Sequence, residues 1–151
     1  MQSGLRRLRE ELVHIIGGGL AGAEAAWQAA RAGLRVILYE MRPLAQTGAH
    51  RTGLLAELVC SNSLKTEQPF SAPWLLKEEL RRLGSLLLKV AAGTRAPGGH
   101  ALVVDREAFG AEVTRAIAAE SRIEVRRQEV TAIPENSLVV IASGPLTSPS
   151  L

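Results

Sequence analysis

Residues 13–22 read VHIIGGGLAG, a β-branched and apolar run that stops abruptly at three glycines and is followed by a fourth. A short apolar run of this kind predicts a buried strand, and the glycines predict a tight turn. Beyond Gly22 the segment AEAAWQAARAG is rich in Ala and closes at Gly33, so it reads as a helix with a glycine at its C-terminal end. Residues 34–39 then form a second apolar run, with Glu40 at its end. The spacing Gly17-x-Gly19-x-x-Gly22 between a strand and a helix is the fingerprint of a dinucleotide-binding β-α-β unit. The first glycine permits the turn, the second lets the backbone approach a pyrophosphate, and the third lets the helix pack closely on the sheet. The helix N-terminus offers free N–H groups and a partial positive charge to phosphates. Gly17, Gly18, Gly19, Leu20, Ala21 and Gly22 are therefore candidate nucleotide contacts. Glu40 is placed to accept hydrogen bonds from ribose hydroxyls, and as a like charge it disfavours a 2'-phosphate. The fingerprint does not separate NAD from FAD, since both present an adenosine diphosphate to it.

Working outward, residues 41–73 lose any period, and turn formers mix with apolar groups; a short helical turn is expected at 54–59. A loop of that length inside one domain is usually functional. Helical spacing returns at 74–88, with Leu75, Leu76, Leu80, Leu83 and Leu87 on one broad face. A turn at 97–99 precedes a strand at 101–104, Asp105 caps a helix that runs to Glu120, and further strands are expected at 123–130 and 138–142. The first twelve residues, basic and amphipathic, read as a tail.

The chain of 151 residues has room for one domain. Its 46% hydrophobic and 22% charged content is that of a folded globular protein, and with only 3% aromatics the core must be aliphatic, which favours α/β architecture. A net charge of +3, with Arg far outnumbering Lys, gives a mild positive field suited to polyanions without specifying one. No run reaches the roughly 18 apolar residues of a membrane helix, and no secretory signal is visible. Cys60 is the lone cysteine, which is simplest in a reducing cytoplasm. His14 reads as a tolerated strand residue, His50 as a loop imidazole, and no metal-ligand spacing occurs.

Five segments resemble one family: HIIGGGLAGAEAAWQAARAGLRVILYEMRP, AELVCSNSLK, LLKEELRRLGSLL, ALVVDREAF and VVIASGPLTS. Together they are similar to the N-terminal portion of the folate- and FAD-dependent tRNA (uracil-5-)-methyltransferases, and AELVCSNSLK is far more specific than the glycine motif. The resemblance implies a Rossmann-like FAD-binding domain of the glutathione-reductase type over residues 13–151. It implies FAD as cofactor, NAD(P)H and methylenetetrahydrofolate as co-substrates, and a T-loop uridine of tRNA as the methyl acceptor. Uracil C5 becomes nucleophilic only after addition at C6, so a thiolate near the flavin is chemically useful. Cys60 matches the family's flavin-proximal cysteine; the family's second cysteine has no counterpart here. Glu57, Ser61, Asn62 and Ser63 share its loop and could orient flavin or thiolate, although such residues also stabilise turns without a ligand.

The resemblance likewise assigns Met41 and Arg42 to the cofactor site, and Arg106 to a phosphate or the flavin. It assigns Val130 to adenine through its main chain, and Ser143 and Gly144 to the neighbourhood of the pyrophosphate. The family's chains continue well past this point, so the sequence reads as a portion of such an enzyme, expected to be inactive in methyl transfer on its own. CSNSLK argues against the related flavoprotein that modifies the wobble uridine of tRNA. A nucleotide-binding remnant without catalysis is the alternative from a different class.

Overall fold

The computed structural model describes residues 11–151. Most of the expected basic tail, residues 1–10, lies outside them. Strand β1 (Leu12–Ile16) is followed by helix α1 (Leu20–Arg31) and strand β2 (Arg35–Tyr39). After a long irregular segment come β3 (Ser63–Thr66), α2 (Ala72–Arg82), α3 (Leu86–Gly93), β4 (Arg95–Ala96) and β5 (Ala101–Val104). The chain closes with α4 (Arg106–Ala119), β6 (Ile123–Arg126), β7 (Leu138–Ile141) and a 3-10 turn, Gly144–Leu146.

Four strands form a parallel sheet in the order β6-β2-β1-β7, and three form a small antiparallel sheet in the order β3-β5-β4. Register across the parallel sheet is continuous: Ile16 lies between Tyr39 on β2 and Ile141 on β7. This is the α/β, Rossmann-like architecture expected from the glycine motif. One face of β1 and β2 packs under α1 and α4, where Ile15, Leu38, Ala23, Ala26, Phe109, Val113 and Ile117 are fully buried. The opposite face carries a smaller cluster of Ile16, Ile37 and Tyr39. His14 belongs to that face, with its Nδ1 2.9 Å from the Tyr39 hydroxyl and its ring stacked on the phenol.

Several elements differ from expectation. β1 begins at Leu12, inside the expected tail. No helical turn forms at 54–59; Leu55 and Ala56 make an isolated turn, with Ala56 at φ +53°. The helix expected over 74–88 is two helices. At the break Gly84 N–H donates to Arg81 O and Ser85 N–H to Leu80 O, which terminates α2 with Gly84 at φ +74°. Ser85 then starts α3, its hydroxyl accepting from Leu88 N–H. The broad leucine face is therefore split: Leu75, Leu76 and Leu83 are exposed, whereas Leu80 and Leu87 pack on the core. β6 ends at Arg126 instead of Val130, because β2, which it pairs with, ends at Tyr39 and Glu40 N–H donates to Arg126 O as the last bond of the pair. Asp105 caps α4 as expected, accepting from Ala108 N–H at 2.8 Å.

Candidate functional site

The C-terminal ends of β1, β2 and β7 open into a cleft of about 310 Å³. Parallel α/β sheets bind ligands at this end of their strands. Its floor is the glycine turn. Gly17 sits at φ +108°, and a Cβ there would lie 2.7 Å from the Ala142 carbonyl oxygen. A Cβ on Gly22 would lie 1.7 Å from Gly17 O, so α1 can start against the turn only as glycine. At Gly19 a Cβ would meet nothing within 4 Å, since that position faces the open cleft. Gly19 is the N-cap of α1 and supplies no side-chain cap, which leaves the first amides of the helix free for an anion. These three environments match the roles that a pyrophosphate-binding turn requires.

Gly18 serves the protein instead. A Cβ there would lie 2.6 Å from Leu55 Cδ2 and 2.8 Å from Glu40 Oε2. The space it leaves admits the 55–56 turn, where Ala56 N–H donates to Gly18 O at 2.8 Å. The left-handed backbone of Ala56, unusual for a residue with a side chain, is held by this bond and by complete burial.

Glu40 is 6% exposed and accepts four hydrogen bonds. Oε2 takes Gly18 N–H at 3.0 Å and Arg42 Nη2 at 2.9 Å; Oε1 takes Arg42 N–H at 3.0 Å and Arg42 Nε at 2.9 Å. Burial opposes its ionisation, but the Arg42 hydrogen bonds and charge and the Gly18 amide outweigh burial and hold the carboxyl below its ordinary value. Arg42 is 1% exposed, and its Nη1 reaches Glu57 Oε2 at 2.8 Å and Thr52 O at 3.3 Å. Glu57 also accepts from the amides of Arg51 and Thr52 and from the Thr52 hydroxyl. Burial again opposes ionisation of Glu57, and these bonds together with the Arg42 charge lower its pKa nonetheless. His50 is drawn down by burial and by Arg42, against the opposing pull of Glu57 and Glu40.

Most of the residues singled out in the sequence meet here. Gly17, Gly18, Gly19, Leu20, Ala21, Glu40, Met41, Arg42, Glu57, Val130, Ser143 and Gly144 line the cleft, and so does His50. Gly22 lies directly behind the turn. Cys60, Ser61, Asn62, Ser63 and Arg106 do not line it. Cys60 is exposed. Asn62 donates through Nδ2 to Val104 O at 3.1 Å and ties its loop to β5, while Ser61 Oγ accepts from Ser63 N–H and Ser63 Oγ from Lys65 N–H. Arg106 is exposed at the first turn of α4.

The far wall of the cleft, residues 145–148, lies in the resembling segment VVIASGPLTS but was given no site role from the sequence. Thr147 Oγ1 donates to Gly144 O at 2.8 Å and lies 2.6 Å from Ser143 Oγ. Ser148 Oγ is the buried side-chain polar atom among the described residues that has no partner. Clustered hydroxyls around the Gly-Pro turn that follows β7 were the available signal. An orphaned hydroxyl in the wall is a donor or acceptor left for a polar ligand.

Residues 12–148 match the family described as glucose inhibited division protein A. The chain belongs to that family. Among curated proteins of this kind, the methylenetetrahydrofolate–tRNA-(uracil-5-)-methyltransferase TrmFO of Koribacter versatilis is 66% identical over 140 residues, covering 92% of this chain and 32% of that protein. The protein of the same name from Solibacter usitatus is 62% identical over 136 residues, covering 90% and 31%. The chain thus spans about a third of the length of these relatives. Among solved structures, THI4 of Thermovibrio ammonificans aligns over 82% of this chain and 41% of its own, with a TM-score of 0.43 and 20% identity.

Proposed function

We propose that this chain is the FAD-binding portion of a folate-dependent tRNA (uracil-5-)-methyltransferase, acting in the cytoplasm. The observation that carries the reading is the glycine turn, whose Gly19 faces open space and whose helix N-terminus is uncapped, set opposite a buried carboxylate at the end of β2. The high identity to relatives named TrmFO supports the uracil-5 reaction over modification of a wobble uridine.

In this reading the amides at the start of α1 and the Ser143–Gly144 turn hold the pyrophosphate. Glu40, whose four acceptor sites are filled by Arg42 and the Gly18 amide, meets the ribose by exchanging one of its bonds to Arg42, and Met41 and Val130 border the adenine. When bound, FAD supplies the redox chemistry that NAD(P)H feeds and that methylenetetrahydrofolate uses in delivering its one-carbon unit to a T-loop uridine. The chain's own part is to bind and orient. Cys60, exposed beside the cleft loop, is the thiol that would add to C6 of the uracil ring or stand against the flavin. Arg106 lies away from the cleft and is available to a phosphate on the outer surface. Residues 13–151 form the FAD domain's N-terminal part, and the complete reaction belongs to the longer enzyme.

Titration of purified chain with FAD, followed by absorbance and fluorescence after desalting, tests the reading. A retained flavin with a shifted spectrum is expected. A folded circular-dichroism signal without retention overturns it in favour of a remnant that keeps the fold alone.

A further inference from the structure

Arg42 is the group whose placement the nucleotide site itself does not explain. Its guanidinium faces inward, and four of its hydrogen-bond contacts go to Glu40, Glu57 and Thr52 O. The two carboxylates come from different parts of the chain. Glu40 ends β2 and takes the Gly18 amide of the glycine turn, while Glu57 lies three residues before Cys60 and gathers the amides of Arg51 and Thr52. One buried cation therefore joins the turn to the 51–57 loop, beside the Ala56 N–H bond to Gly18 O and the Arg127 bond to Gly53 O.

We propose that Arg42 is a positioning residue that fixes the 51–57 loop, and with it the approach to Cys60, against the nucleotide cleft. This deepens the reading of the cleft as a dinucleotide site and relies on that reading only for what the loop is held against. The physical case rests on charge and geometry. Two carboxylates that share one guanidinium in a buried place would repel each other without it, and one of them would then take up a proton. A lysine keeps the charge but lacks the planar fork that reaches both carboxylates in fixed directions. The other charged groups near the pair are His50, which lines the same cleft, and Arg127, whose Nη1 donates to Arg42 O and Gly53 O. Neither bonds to Glu40 or Glu57, so neither replaces Arg42.

Hydrogen exchange at the Arg51 and Thr52 amides, measured on the chain without nucleotide, tests this directly. Arg42→Met should lower their protection factors at least about tenfold near pH 7.5, and a large part should return near pH 5 as the bare carboxylates share a proton. Arg42→Lys should lose less protection and show little recovery on acidification, and the wild type should only lose protection over the same range, as His50 takes up its proton. Protection in Arg42→Met within about twofold of wild type, or a loss that acid does not reverse, overturns the proposal. If Arg42→Met does not fold by circular dichroism, Arg42→Gln decides, since it removes the shared cation and leaves Glu57, the direct acceptor of both amides, in place. It should expose the Arg51 and Thr52 amides while the Gly18 amide keeps its protection, and unchanged protection at 51–52 overturns the proposal. FAD titration of the wild type is read separately, so a failed nucleotide site and a failed Arg42 link give different results.

Discussion

At the scale of single residues, the four glycines of the turn separate into different duties, and substitutions can tell them apart. Gly19→Ala adds a methyl group to open space at an ordinary backbone angle, φ −72°. Its thermal midpoint should stay near wild type while FAD affinity falls about tenfold or more, roughly 1.4 kcal/mol, by titration. Gly22→Ala should instead destabilise the fold by about 3 kcal/mol or more in urea, because its Cβ collides with backbone that cannot move aside. Glu40→Gln should weaken FAD retention by roughly 1.5–3 kcal/mol, the worth of a charged hydrogen bond, and should also destabilise the apo protein by leaving Arg42 underpaired. Unchanged retention would remove Glu40 from the ribose. The pH response follows from lowered carboxyl pKa values at Glu40 and Glu57. A depressed carboxylate contributes stability that is present above its ordinary value of 4.5 and is lost as pH falls through the folded value. The lowered His50 adds loss in the same direction, beginning below its ordinary 6.5, since the unfolded chain then binds the proton more readily. Thermal melts from neutral pH to well below the ordinary carboxylate value of 4.5 should show falling stability, and Glu57→Gln should flatten the lower part of that curve.

At the scale of elements, the strands of the β1-turn-α1-β2 unit were legible to within a residue, since they are apolar runs. Helix α1, by contrast, starts at Leu20, three residues before the Ala-rich segment read as helix, because its first turn is built from the glycine motif itself. The break between α2 and α3 was readable too, yet the leucine period runs through it. Gly84 follows Leu83 as Gly33 follows Ala32, and both helices end with the same pair of backbone bonds. The regular spacing of Leu80, Leu83 and Leu87 hid that stop. Gly84→Ala would meet no neighbour, so its cost is conformational alone, about 1 kcal/mol, visible as a drop of a few degrees in the melting midpoint. Asp105→Ala should cost about as much by removing the α4 cap. The strand β3 carried no alternation to find: it is four residues long and contains a bulge with Lys65 at φ +69°. The cleft was legible on the side built from the glycine motif and Glu40. The Arg42–Glu57 link was not, because it joins residues fifteen apart through a loop with no period.

At the scale of the whole molecule, the parallel sheet ends at β7, whose outer edge is unpaired among the described residues and whose Leu138, Val140 and Ile141 are exposed. An exposed apolar edge is a template for another strand. The purified chain should self-associate with rising concentration, and Leu138→Lys should lower its apparent mass in light scattering or sedimentation; a chain that stays monomeric at high concentration would show the edge to be covered in solution. The position of β7 beside β1 also governs when the protein can work. Gly17 leaves the ribosome well before the backbone it nests against, Ala142 and Ser143, which lies far downstream in the chain. During synthesis the glycine turn therefore waits, half a site, until the far wall arrives, and a cofactor can lodge only after translation has passed β7.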